Sequence, residues 1–80
     1  MFFTYIIISL KDSTYYYGHT KNLENRLKDH NSGKVRSSKG KRSWKLHYFE
    51  KFDSKSEAYK REMYFKSIEG YRYLKEKGIT

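Results

Sequence analysis

The chain has 80 residues, no cysteine, and 18 Lys and Arg against 9 Asp and Glu, a formal charge of +9. Without cysteine, neither a disulfide framework nor a thiolate zinc site can staple it. Its longest apolar run, Tyr5 to Ile8, is far short of the roughly 20 residues that span a bilayer, and the N-terminus lacks the basic flank of a signal peptide.

A soluble, unexported, cytoplasmic protein is therefore expected, with one domain over residues 1–80 and no membrane partner. Nine tyrosines, five phenylalanines and one tryptophan must supply much of the core of so short a chain. The excess positive charge favours a polyanionic partner.

Phe2 to Leu10 is rich in β-branched and aromatic residues and ends at Lys11-Asp12-Ser13, a turn-forming cluster. That pattern predicts a buried strand, with Thr14 to His19 as its hairpin partner. A two-residue loop at Lys11-Asp12 would set Tyr5 opposite Gly18 and put Tyr5 and Tyr16 on one face, leaving space beside the two phenols. Asn22 as N-cap, Glu24 in the first turn, the apolar pair Leu23 and Leu27, and Gly33 just past the end predict a helix over Leu23 to Asn31. Arg26 and His30 lie four residues apart beside that leucine stripe, either lining a cleft or simply solvated.

Ser32 to Lys41 is low in apolar residues and contains Gly33 and Gly40, which predicts a flexible basic loop. From His30 to Phe49 there is no acidic residue, while Lys34, Arg36, Lys39, Lys41, Arg42 and Lys45 all fall inside. The run is either a solvated loop or a nucleic-acid footprint. Ser43 to Phe49 alternates Trp44, Leu46 and Tyr48 against Lys45, His47 and Phe49, the pattern of a third strand. Ser54 followed by Glu57 forms a capping box, and Ala58, Phe65 and Ile68 make the buried stripe of a helix over Lys55 to Ser67. Glu62 falls on the inward side of that helix, so its carboxylate needs a partner, either a nearby Lys or Arg or a metal ion. Gly70 is expected to separate this helix from a terminal one, Tyr71 to Lys77, packed through Tyr71 and Leu74. The order is ββαβαα, an α+β fold with a three-stranded antiparallel sheet flanked by helices.

Tyr5, Tyr16, Gly18, Arg26, His30 and Glu62 on this scaffold resemble the GIY-YIG nuclease domain. Its first signature would be Phe3-Thr4-Tyr5, keeping the tyrosine, and its second Tyr16-Tyr17-Gly18, keeping both ends. The run Gly18 to Leu27 looks like the start of the family's conserved helix, with Arg26 at the catalytic arginine; His30 matches the histidine one turn on, and Glu62 the metal-binding glutamate. The likeness covers nearly the whole chain. It is closest to small stand-alone bacterial members, which share the His30-Asn31-x-Gly33 run and a tryptophan before the third strand. Two positions depart from the pattern: His19 stands where repair-type members carry lysine, and no downstream asparagine follows Asn31.

The resemblance implies a DNA endonuclease that hydrolyses phosphodiester bonds with a single Mg²⁺ or Mn²⁺ ion. Its substrates would be branched, nicked or damaged DNA, as in DNA repair, with a protein partner as one source of specificity. Tyr5 would be the base, Tyr16 would position it or the water, Arg26 would clamp phosphate, Glu62 would hold the metal, and His30 would contact phosphate or help move protons. Gly18 and His19 would support them. Two alternatives stand beside this: a nucleic-acid-binding module of the same fold without effective catalysis, and an interaction protein using exposed aromatics such as Tyr59 and Tyr64.

Overall fold

In the computed structural model, which describes residues 1–80, strand β1 (Phe2–Ser9) is the middle of a three-stranded antiparallel sheet. β2 (Tyr15–Thr20) pairs along one edge and β3 (Trp44–Phe52) along the other. Helix α1 (Leu23–Ser32) follows β2, and α2 (Lys55–Phe65) and α3 (Ile68–Glu76) follow β3. No helix is long and apolar enough to cross a membrane.

A strand covered on both faces needs a continuous apolar run rather than alternation, and β1 supplies one. Thr4, Tyr5, Ile6 and Ile7 are all buried. On one face Tyr5 and Ile7 pack with Trp44, Leu46, Tyr16 and the α1 leucines, Leu23 and Leu27. On the other, Ile6 packs with Phe65 of α2 and Leu74 of α3, ringed by Tyr15, Tyr17, Tyr48, Tyr64 and Tyr73. Each large apolar side chain fully buried this way stabilises the fold by roughly 1.5–3 kcal/mol. Tyr64, expected to be an exposed aromatic, belongs to this second cluster and lies edge-on to Tyr73.

The hairpin keeps the expected register, with Tyr5 opposite Gly18, but the strands part earlier than a two-residue loop requires. Ser9 donates its N–H to Thr14 O at 2.8 Å, Ser13 donates back to Ser9 O at 2.9 Å, and Ser13 takes a φ of 62°. Leu10 therefore leaves the strand and is exposed. Asp12 locks the turn by accepting from the Thr14 N–H and hydroxyl, which with the nearby Lys41 holds its carboxyl down at about 2.

The third strand runs three residues beyond its expected end, and its faces are not those of simple alternation. Ile6 opposes Tyr48 while Ile7 opposes Leu46, so His47 is an extra residue in a β-bulge. Trp44 and Leu46 thus face α1, whereas Tyr48 crosses to the α2 and α3 side.

The helix starts follow from their caps. Asn22 Oδ1 accepts from the Asn25 N–H at 3.0 Å, and Ser54 Oγ accepts from the Glu57 N–H at 3.2 Å while donating to its carboxylate. Helix α2 ends at Phe65 rather than Ser67, because Ser67 instead caps α3 by accepting from the Gly70 N–H at 3.1 Å. Ile68 is then 74% exposed at the head of α3, not part of a buried stripe, and Tyr71 is 54% exposed; only Leu74 carries the packing expected of that helix. Gly70 does not break a helix. It lies inside α3 where a Cβ would sit 1.7 Å from the Tyr64 carbonyl oxygen, so its missing side chain lets α3 fold back on α2.

The basic segment is not a loose loop. Arg36–Lys41 forms a 3-10 turn whose Ser38 is buried. Trp44 Nε1 donates to the Ser38 carbonyl at 3.0 Å, and the Asn31 side chain bonds the Trp44 backbone on both sides, which fastens the turn between α1 and β3.

Candidate active site

Side chains alternate along edge strand β2, so Tyr16 points to the α1 side and Tyr17 and His19 to the α2 side, with Gly18 between. The Tyr5 ring from the neighbouring strand lies across Gly18: a Cβ there would be 2.3 Å from the Tyr5 oxygen. The glycine lets a tyrosine from the middle of the sheet reach its edge. A cleft of about 180 Å³ opens there, lined by Tyr5, Tyr16, Tyr17, Gly18, His19, Arg26 and Glu62.

Tyr5 is buried and its hydroxyl meets His30 Nε2 at 2.8 Å. Burial holds the phenol above the ordinary tyrosine value, and the Arg26 guanidinium offsets this only in part. His30 is fully buried behind Tyr5, with Nδ1 2.6 Å from Ser38 Oγ. Burial, and secondarily the charge of Arg26, push His30 down to about 4, so it is neutral near pH 7. With both ring nitrogens engaged and no exposed surface, His30 is not placed to contact a phosphate, one of the two roles expected of it. Tyr16 packs its ring against His30, with centroids 4.9 Å apart, and shares a 2.9 Å hydrogen bond with Ser37 Oγ.

Arg26 projects from α1 into the cleft. Its one ion pair, to Asp29 on the same helix, is long at 3.9 Å, so beyond the donor turned toward the Tyr5 hydroxyl the fork is available to an anion.

Glu62 enters from α2. Its carboxylate is nearly buried and doubly engaged: Oε1 meets His19 Nδ1 at 2.6 Å, and Oε2 accepts from Lys66 Nζ at 2.7 Å. Of the partners expected for this buried charge, the structure provides a cation, Lys66, four residues on at the C-cap of α2. Glu62 is the cleft's sole carboxylate, and no cluster of three or more metal-ligating side chains exists anywhere in the chain. A single-carboxylate site still suits magnesium, which keeps several waters and shares phosphate oxygens with its substrate. Lys66 is half-exposed on a flexible stem, so it can release Oε2 without opening the core.

Lys34, Arg36, Lys39, Lys41, Arg42 and Lys45 are all exposed. Lys34 and Lys41 make long pairs with Asp29 and Asp12, at 3.8 and 3.4 Å; the other four pair with no carboxylate. Sequence reading missed Lys66, Ser37 and Ser38. Lys66 was discoverable from its i,i+4 spacing to Glu62; the two serines carried no signal, since only the folded 3-10 turn brings them to Tyr16 and His30.

A three-stranded antiparallel sheet in the order β2-β1-β3, with two tyrosines and a glycine at one edge facing a helix-borne arginine and a glutamate, is the layout of a GIY-YIG nuclease fold. The family model for the GIY-YIG catalytic domain matches residues 1–73, and the chain belongs to this family. Among curated relatives, a UPF0213 protein of Bacillus licheniformis is 40% identical over 77 residues, covering 91% of this chain and 79% of its own. A UPF0213 protein of Clostridium perfringens is 44% identical over 63 residues, 78% of this chain and 68% of its own. The solution NMR structure of a UPF0213 protein from Bacillus halodurans superposes with a TM-score of 0.52 at 32% identity, covering 92% of this chain and 82% of that one.

Proposed function

We propose that the chain is a metal-dependent endonuclease that hydrolyses DNA phosphodiester bonds in this cleft. The observation carrying the reading is the convergence of Tyr5, Arg26 and Glu62, from three separate elements, on one cleft at the sheet edge. A magnesium or manganese ion held by Glu62 would supply positive charge against the departing 3′ oxygen.

Arg26 grips the phosphate and offsets the charge that builds on its oxygens. With the Tyr5 proton given to neutral His30 across their 2.8 Å contact, the phenol oxygen keeps a lone pair toward the cleft that can accept a proton from water. A phenol held above its ordinary value is not a resting phenolate at pH 7. The transfer is therefore concerted: as the water oxygen bonds to phosphorus its acidity rises, its proton passes to the Tyr5 oxygen, and the Tyr5 proton shifts to His30 Nε2 while the bond from phosphorus to the 3′ oxygen breaks. Unpaired Arg36, Lys39, Arg42 and Lys45, exposed outside the cleft, hold the duplex or branch through its phosphates.

Cleavage of plasmid, flap and branched DNAs with Mg²⁺, Mn²⁺ or EDTA tests this. Wild type is expected to cut only with metal, and Tyr5→Phe, Arg26→Ala and Glu62→Ala to lose roughly 100-fold or more in rate. Equal nicking by a folded Glu62→Ala protein would remove the site from the reaction.

One observation favours a second reading, a nucleic-acid-binding module without effective catalysis: both oxygens of Glu62 are already satisfied by His19 and Lys66. Salt-sensitive DNA binding with no metal-dependent cutting on any substrate would select it.

A further inference from the structure

We propose that Ser38 is a positioning residue for Tyr5: its hydroxyl holds His30 in the Nδ1–H tautomer, leaving Nε2 as the acceptor for the Tyr5 proton. The proposal rests on the nuclease reading for its consequence in catalysis, but the tautomer is a property of the folded chain alone.

The assignment follows from counting protons among buried groups. Ser38 Oγ has two partners, His30 Nδ1 at 2.6 Å and the Val35 carbonyl at 3.3 Å, and a carbonyl can only accept. If the hydroxyl donates to Val35 O, it accepts from His30 Nδ1–H, and the Tyr5 hydroxyl then donates to the bare Nε2 at 2.8 Å. Every proton in the chain has a protein acceptor. The reverse order, with Ser38 donating to Nδ1 and Nε2–H donating to Tyr5, leaves the phenolic proton with none, since the hydroxyl's other neighbour, the Arg26 guanidinium, can only donate. It would also turn that proton into the cleft, where a water must deliver one.

Ser38 is fixed in this task from behind. It is buried, its N–H bonds Val35 O at 3.2 Å, and its carbonyl accepts the Trp44 indole N–H. Its neighbour Ser37 holds the Tyr16 hydroxyl, so two consecutive serines grip the two signature tyrosines, one through His30 and one directly. Both serines sit in the 3-10 turn that displays Arg36, Lys39 and Lys41 on its outside. A single rigid turn therefore carries phosphate-facing charge on one side and the orientation of the base on the other.

Long-range ¹H–¹⁵N NMR of the His30 ring near pH 7 reads the tautomer directly. Wild type is expected to show protonated Nδ1 and bare Nε2, Ser38→Ala a mixture or the Nε2–H form, and Ser38→Thr, which keeps a hydroxyl, the wild-type pattern. In parallel, Ser38→Ala should lower kcat by at least roughly tenfold with KM for DNA little changed, as losing the partner that fixes a histidine tautomer does in a catalytic triad, and Ser38→Thr should restore it. A wild-type ring carrying its proton on Nε2 overturns the proposal whether or not any variant folds, and so does an unaltered ring in Ser38→Ala. Absence of cleavage by wild type would instead sink the nuclease reading, and the ring spectrum would still decide the tautomer.

Discussion

Gly18 and Tyr5 are one device. The phenol occupies the space a side chain at position 18 would need, and a Cβ there would also press on the Tyr5 ring carbons at 2.5 and 2.9 Å. Gly18→Ala is therefore expected to displace the ring, break the bond to His30 and abolish cleavage, while leaving DNA binding through the outer basic residues close to wild type. Cleavage that survives in Gly18→Ala would mean the phenol has no role at its present position. His30 makes a second prediction at this scale. Its folded value is depressed to about 4 from 6.5, so the unfolded chain binds the extra proton between those values. Stability should be fully present above about pH 6.5 and decline by on the order of 3 kcal/mol as pH falls to about 4. That is a large share of the roughly 5–15 kcal/mol available to a small domain. Urea unfolding across this range should show a shallower pH slope in His30→Gln than in wild type; equal slopes would assign the acid sensitivity elsewhere.

Among the elements, α2 does two jobs. Its inner face supplies Phe65 and Ala58 to the core, the Ala58 carbonyl accepting the buried Thr4 hydroxyl at 2.7 Å, while one turn away it presents Glu62 to the cleft. Arg61 ties its outer flank down, donating to Glu50 of β3 at 2.7 Å and stacking on Tyr64, Phe65 and Tyr73 with its guanidinium 4.9 to 5.0 Å from each ring. The Arg61 charge is desolvated against aromatic faces and paired at once, a geometry that orients α2 and α3 on β3. Helix α3 depends on Gly70. Alanine is ordinarily the better helix former by about 1 kcal/mol, yet at this position its Cβ would overlap a backbone carbonyl that cannot rotate away. Gly70→Ala should thus destabilise by several kcal/mol, on the scale of the largest single-site effects, and thermal melting should show it; an unchanged or raised Tm would mean α3 is not seated on α2 as described.

At the scale of the molecule, the +9 charge is unevenly used. The α2 side answers part of its cationic charge internally, through Arg61 with Glu50 and Lys66 with Glu62, whereas the 3-10 turn and the start of β3 expose Arg36, Lys39, Arg42 and Lys45 without partners. A DNA footprint there predicts a linear fall of log K with log salt. Charge reversal at Lys39, Lys41 and Arg42 should weaken binding across all sequences and flatten that slope by about 0.9 for each phosphate the variant no longer neutralises. Identical slopes for the variant and wild type would place the DNA on another face.

How much was legible in the sequence differs by element for physical reasons. Local chemistry wrote the strand and helix order, the Asn22 and Ser54 caps, the Tyr5 to Gly18 register and the inward position of Glu62, because caps, turn clusters and periodicity act over a few neighbouring residues. The β3 bulge was invisible, since an extra residue looks like continued alternation until β1 sets Ile6 against Tyr48 and Ile7 against Leu46. Gly70 read as a breaker because its purpose, room for the Tyr64 carbonyl, belongs to the packing of two helices. The site divides in the same way. The chain by itself offered the candidate set, Tyr5, Tyr16, Arg26, His30 and Glu62. Only the tertiary structure decided that His30 lies buried behind Tyr5 with Ser38 at its back, and that Glu62 is held between His19 and Lys66. Burial and hydrogen-bond pairing across 43 residues of chain, as between His19 and Glu62, are properties of the packed whole, and no local pattern encodes them.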